Sequence, residues 1–239
     1  MPASVDLNVD LGESAERWAS GEDRRLLALV TSANVCCGAY AGDDDLIAST
    51  CAAAVEHGVA IGAQVGYPDR EGFGRRAMDL APQELADEVR RQVEHLRTLA
   101  EAAGGVVSYV KPHGALYHRI SHDPAQAAAV VGALLSDPLP LPLVGMPGSL
   151  ALRLATDAGL GTVHEGFADR AYAGDGSLVP RGEAGAVLTD PDAAAAQALS
   201  LVGSVHSLCV HSDSPGAEGL LARVRGALED SAVTVAAFG

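Results

Sequence analysis

Asp10 and Glu13 flank Gly12 just past an apolar run that begins at Val5, and Lys111 and His113 flank Pro112 at the end of another, Val106–Val110. A third cluster, Glu165 with Asp169 and Arg170, follows Val163, and a fourth, His211 with Asp213, follows Val205–Val210. These residue types can do complementary work. A carboxylate can act as a base, hold a cation or orient a ligand. A lysine can neutralise a phosphate or carboxylate, and a histidine can move a proton near neutral pH. Arg170 has the fork geometry to clamp a carboxylate in bidentate fashion, or to form a structural ion pair. Pro112 fixes the backbone next to Lys111, and Gly114 lets it turn tightly after His113.

Each cluster ends a run short enough for a buried strand and precedes a helix-like segment. In a parallel α/β fold the carboxyl ends of the strands share one face, so residues distant in sequence meet there. Strands are expected over 5–9, 31–36, 59–65, 105–110, 141–145, 161–165 and 206–211, with 232–238 as a further candidate. On the first strand Asp6 and Asn8 share a face with Asp10 by alternation. Three polar residues on one side of a buried strand are costly unless they line a polar cavity.

Helix signals lie between the strands. Leu85, Val89, Val93, Leu96, Ala100 and Ala103 recur at spacings of three and four, predicting a helix over 83–103 that Gly104 and Gly105 end. Leu46, Ile47, Cys51, Ala54 and Val55 make a similar stripe over 43–57, with Gly58 after it. The pairs Asp123-Pro124, Asp190-Pro191 and Ser214-Pro215 read as a capping side chain followed by the first helical residue. Seven or eight βα units over 239 residues predict one domain, 1–239, with a closed or nearly closed parallel barrel. An open doubly wound sheet is the alternative. Two long connections, 66–82 and 166–190, follow strands and should overhang the carboxyl-end face as binding loops or lids.

Composition narrows the function classes. Hydrophobic residues make up 48% of the chain and aromatics 4%, so the core must be built from Ala, Val and Leu. The net charge of −15 argues against nucleic acid and anionic membrane partners. No apolar run approaches the ~20 residues of a membrane span, and the N-terminus has no signal-peptide pattern, which predicts a cytoplasmic protein. Cys36, Cys37, Cys51 and Cys209 form no Cys-x-x-Cys pair and are expected to be small buried residues. His57, His95, His118 and His122 read as helix-face or loop residues. No Gly-x-x-x-x-Gly-Lys-Ser/Thr loop, Gly-x-Gly-x-x-Gly loop or Gly-x-Ser-x-Gly elbow occurs, so a nucleotide would need another binding mode or another subunit.

The chain resembles the LamB/YcsF family, usually described as the A subunit of 5-oxoprolinase. The matching blocks are DLNVDLGE over Asp6–Glu13, TSANVCCG over Thr31–Gly38, Ala41–Asp43, Gly66–Asp69, GFGRR over Gly72–Arg76, KPHGALY over Lys111–Tyr117, FADRAY over Phe167–Tyr172, Leu178–Arg181, and Cys209–His211 with Asp213. The resemblance implies a (β/α) barrel of the glycoside hydrolase/deacetylase type with about seven strands. It also implies ATP-dependent opening of the lactam of 5-oxo-L-proline to L-glutamate, together with partner subunits B and C. ATP with Mg2+ is the implied cofactor, bound by this chain or by a partner subunit.

On this footing the catalytic candidates are Asp10, Glu13, Lys111, His113, His211 and Asp213. The substrate-binding candidates are Asn34, Gln64, Glu165, Asp169 and Arg170. The chain departs from the family pattern twice. Gly-Phe-His-Ala-Gly-Asp becomes Gly38–Asp43 with Tyr40 in the histidine's place, and Gly-Ala-His-Pro-Gly-Tyr becomes Gly62–Tyr67 with Gln64 in the histidine's place. With Asp10 those histidines would form a His-His-Asp metal site as in deacetylases of similar fold. Tyr40 and Gln64 are poor replacements, so no tight transition metal is expected from that set. The alternative functions are a metal-dependent deacetylase or amide hydrolase acting alone, and a non-catalytic regulatory subunit.

Overall fold

Strict alternation along the strands decides the architecture. The computed structural model describes residues 3–238. Eight parallel strands run in chain order: β1 (Ser4–Leu11), β2 (Ser32–Cys36), β3 (Ala60–Val65), β4 (Val107–Pro112), β5 (Leu143–Gly145), β6 (Thr162–Phe167), β7 (Ser207–Cys209) and β8 (Thr234–Val235). β1 to β7 pair in sequence and β1 pairs with both β7 and β2, which closes a seven-stranded barrel. The short β8 adds to the start of β1, with Ser4 opposite Thr234. The helices are α1 (Ala15–Ala19), α2 (Glu22–Leu27), α3 (Asp44–His57), α4 (Pro82–Ala102), α5 (Gly114–Arg119), α6 (Pro124–Leu135), α7 (Leu150–Asp157), α8 (Pro191–Leu201) and α9 (Ala217–Asp230). The expected barrel is therefore present, and the open sheet is not.

Outward positions on the strands are apolar and fully buried: Leu7 and Val9 on β1, Ala33 and Val35 on β2, Ile61, Ala63 and Val65 on β3. They join one core with Ile47 of α3, Leu85, Val89 and Leu96 of α4, and Leu220 and Val224 of α9. Burying a side chain of this size contributes about 1.5–3 kcal/mol. Inward positions are different. Asp6, Asn8 and Asp10, Ser32 and Asn34, Gln64, Lys111, Glu165 and Ser207 are all buried within the barrel. A parallel barrel of this kind is usually filled by branched apolar layers. Here hydrogen bonds fill most of it. An apolar cluster of Tyr109, Val144 and Val163 with Phe238 occupies the end nearer the strand starts.

The capping signals fare unequally. Asp43, Asp123 and Asp190 accept from free backbone N–H groups at the starts of α3, α6 and α8. Gly58 ends α3 in the left-handed conformation, as expected. Ser214-Pro215 does not begin a helix: α9 starts at Ala217 after Gly216, and the Ser214 hydroxyl donates to Asp169 instead (2.5 Å). β4 extends two residues beyond its expected end, because His113 N–H still donates to the Val65 carbonyl at 2.7 Å. All four cysteines are free and buried, as expected.

Candidate active site

Lys111 is the hub of the barrel interior. Its Nζ lies 2.8 Å from Glu165, 3.3 Å from Asp10 Oδ1, 3.2 Å from Asn8 Oδ1 and 3.2 Å from Cys209 Sγ. Register makes this convergence possible: Asp10 is level with Asn34, and Gln64 with Lys111, on adjacent strands. Burial works against the Lys111 charge, yet Asp10, Cys209 and Glu165 hold its pKa well above the ordinary value. Burial likewise opposes the Asp10 charge, but Lys111 together with His211, His113 and Asn34 holds its carboxyl down to about 2. Asn34 donates to Asp10 Oδ1 (2.8 Å), and Tyr109 donates to Asn34 (2.7 Å). Asn8 and Tyr117 donate to opposite oxygens of Glu165, at 3.1 and 2.9 Å. Deeper still, Asp6 accepts from Thr31, Ser32 and Ser207, and burial raises its pKa despite these bonds.

His113 is held from three sides. Its ring stacks face to face on Tyr40, with centroids 3.9 Å apart. Nε2 donates to the carbonyl of Phe73 at 2.9 Å. Phe73 has φ 55, a conformation that L residues rarely adopt, so the loop stores strain to present that carbonyl. Gly114 has φ 54, and a methyl there would stand 2.6 Å from the Gly74 carbonyl oxygen. Only glycine fits that approach. Burial pushes the His113 pKa down to about 4, so the ring is neutral at neutral pH. Its unprotonated Nδ1 faces Gln64 Nε2 at 3.2 Å and Glu13 Oε1 at 3.6 Å. Burial, followed by the neighbouring Asp10, pushes the Glu13 carboxyl up to about 8.

Asp169 organises the opposite wall. It accepts from the His211 backbone N–H (3.0 Å), His211 Nδ1 (3.0 Å) and Ser214. Burial opposes its charge, but His211 holds its pKa below the ordinary carboxylate value. The two long connections close over this wall. Arg75 from 66–82 and Arg181 from 166–190 both bind Asp213, at 2.5 and 2.6 Å. Burial opposes the Asp213 charge too, and the two guanidinium groups hold its pKa well below the carboxylate range.

The result is a cavity of about 440 Å³ at the carboxyl ends of the strands. Asp10, Glu13, Gln64, Lys111, His113, Arg170, His211 and Asp213 all line it. Asn34, Glu165 and Asp169 do not; each is fully buried behind the wall, with its oxygens committed to neighbours. These three, expected to bind substrate, instead contact Asp10, Lys111 and His211 respectively. Arg170 spends two donors on the carbonyls of Ala186 and Val179, so it pins its own loop as well as facing the cavity. His118, expected to be uninvolved, borders the cavity.

A model of the LamB/YcsF family matches residues 5–239. The chain belongs to the LamB/YcsF family. It is 53% identical to the 5-oxoprolinase A subunit of Streptomyces avermitilis, over 98% of this chain and 99% of that protein. It is 48% identical to the protein of the same name from Mycobacterium ulcerans, over 98% of each chain. The lactam utilization protein from Thermus thermophilus superposes with a TM-score of 0.91 at 40% identity, covering 98% of this chain and all of that one. The T48 deacetylase superposes with a TM-score of 0.51 at 14% identity, a likeness of fold alone.

In this LamB/YcsF barrel, Tyr40 and Gln64 both serve His113, one by stacking and one by a hydrogen bond. They do not fit a metal site with Asp10: the Tyr40 phenol is buried without a partner, and Gln64 points its amide nitrogen at His113. Among the described residues, the groups able to hold a cation together are Asp10, Glu13 and His113, whose ligand atoms lie within 4.8 Å of one another. Sequence reasoning omitted Arg75 and Arg181 from the site. The arginine content of the two long connections was the available signal.

Proposed function

We propose that this chain is the ring-opening subunit of an ATP-dependent 5-oxoprolinase, acting with subunits B and C to convert 5-oxo-L-proline to L-glutamate. The observation that carries this reading is the joint presence of Lys111, Asp10 and the His211–Asp169 pair around one polar cavity, in a chain 53% identical to a protein named for that activity. The coarser reading, a hydrolase acting on amides, has the same support. The sequence contains no phosphate-binding glycine loop, so ATP and Mg2+ belong to the partner subunits in this reading.

A lactam carbonyl is a poor electrophile. Transfer of a phosphoryl group from ATP to its oxygen makes the carbon open to attack by water. Asp169 holds His211 through Nδ1, leaving Nε2 to take the proton from that water. Asp10, ionised and fixed by Asn34 and Lys111, orients the water. Lys111, with Arg75 and Arg181 at the rim, balances the anionic carboxylate and phosphoryl groups. The carbon–nitrogen bond then breaks, and the protonated His211 returns its proton to the departing nitrogen. Ring opening leaves the side-chain acyl phosphate of glutamate, and a second water hydrolyses it, releasing phosphate and the side-chain carboxylate.

The test is reconstitution. The purified chain, mixed with subunits B and C, ATP and 5-oxoproline, should release glutamate. A partner set that is active with its own A component, yet silent with this chain, overturns the reading.

A further inference from the structure

Glu13 Oε1 is a buried oxygen without a hydrogen-bond partner, on a side chain only 4% exposed. It faces His113 Nδ1 at 3.6 Å. Because His113 spends its Nε2 proton on the Phe73 carbonyl, Nδ1 carries a lone pair. The two atoms stand beyond hydrogen-bond distance of each other, and the neighbour that Nδ1 engages is Gln64 Nε2 at 3.2 Å. Asp10 is the third member. Asn34 and Lys111 both bind its Oδ1, which leaves Oδ2 to the cavity. Arg17 lies 3.6 Å from the other oxygen of Glu13, so Oε1 remains bare on the cavity side.

We infer that Asp10, Glu13 and His113 form a binding site for one divalent cation of the first transition row. The ligand set of two carboxylates and one imidazole suits Mn2+, Co2+ or Zn2+. Metal–ligand bonds of about 2.0–2.2 Å keep any two ligands within roughly 4.4 Å of each other. The three ligand atoms lie within 4.8 Å of one another, and adjacent ligands in a tetrahedral shell stand about 3.4 Å apart, so the site needs a contraction of up to about an ångström. The second sphere is in place: a carbonyl fixes the His113 tautomer, and Asn34 fixes Asp10. Charge favours occupancy. Lys111 offsets one of the two carboxylates it touches, Asp10 and Glu165, and Glu13 adds another negative charge when ionised. This set differs from one built on positions 40 and 64, and it uses Glu13, which the proposed ring opening leaves without a task.

The test uses the full chain alone, without ATP, 5-oxoproline or partners, so its failure leaves the ring-opening reading standing. Chelator-treated protein is titrated with Mn2+ by calorimetry and with Co2+ by visible absorption. One ion per chain is expected, with Co2+ bands characteristic of mixed nitrogen and oxygen ligation. Glu13→Gln and His113→Gln should each weaken Mn2+ binding by at least about tenfold. The melting temperature should rise with Mn2+ in the parent chain and not in Glu13→Gln. Absence of stoichiometric binding by the parent chain overturns the site, and so does binding that Glu13→Gln leaves unchanged. If a variant fails to fold, the parent Co2+ spectrum decides: bands without nitrogen ligation exclude His113.

Discussion

Lys111 shows how much of this molecule rests on single side chains. It is buried between Asp10 and Glu165, and among the described residues neither carboxylate has another cation as close. Removing one member of a buried ion group strands the others, at about 3–5 kcal/mol. Lys111→Met should therefore lose that much stability in urea denaturation and show no glutamate release from whatever folds. Asp169→Asn is a milder change. It keeps the shape behind His211 but no longer favours the tautomer that leaves Nε2 free. The expected loss is about 10²–10⁴-fold in kcat, with little change in KM, measured in the reconstituted assay. The strand-end clusters were legible in the sequence because alternation and buried polarity are local signals. The division between cavity-lining and supporting residues was not. Asn34 looks like any polar strand residue until register sets it beside Asp10, and Asp169 looks like a cavity residue until the fold turns it behind His211.

At the scale of elements, two connections make the cavity, and both are held by one carboxylate. Asp213 joins Arg75, 138 residues away, to Arg181, 32 residues away. The sequence marks both connections as arginine-bearing, but which carboxylate the arginines bind has no trace in it. Because the folded-state pKa of Asp213 lies well below its ordinary value near 3.8, the stability it contributes is full above 3.8 and is lost progressively as pH falls from there through the lower folded-state value. Acid should thus loosen 166–190 first. Limited proteolysis with an acid protease should cut that connection faster at pH 2 than at pH 4. Asp213→Asn should make it as sensitive at pH 4 as the parent is at pH 2. The KPHG turn makes a second case. Gly114→Ala combines a left-handed backbone with a 2.6 Å approach to Gly74, so it should cost about 1–3 kcal/mol and lower activity by displacing His113. Denaturation and kcat measure the two effects. The turn was legible because Pro112 and Gly114 mark it. The strain at Phe73 was not, since no residue-type preference favours a phenylalanine there.

For the whole molecule, the barrel was legible from the recurrence of βα units, and the boundary errors came from local competition. Ser214 carried a capping signature, but the Asp169 carboxylate offered its hydroxyl a better acceptor. What the pattern could not convey is that the barrel has two kinds of interior: a polar column reaching from Asp6 to the cavity and an apolar floor. Phe238 packs on Tyr109 with ring centroids 5.0 Å apart, and Tyr109 in turn lies against Gly62, where a methyl would collide with its ring. The Tyr109 hydroxyl then reaches Asn34, and Asn34 reaches Asp10. Phe238 therefore covers the apolar floor beneath the polar column. Phe238→Ala, far from any substrate contact, should admit water from below, speed hydrogen exchange at β4 and β5, and reduce kcat several-fold while leaving KM nearly intact. The terminal aromatic would then set the wetness of a catalytic centre that it never touches.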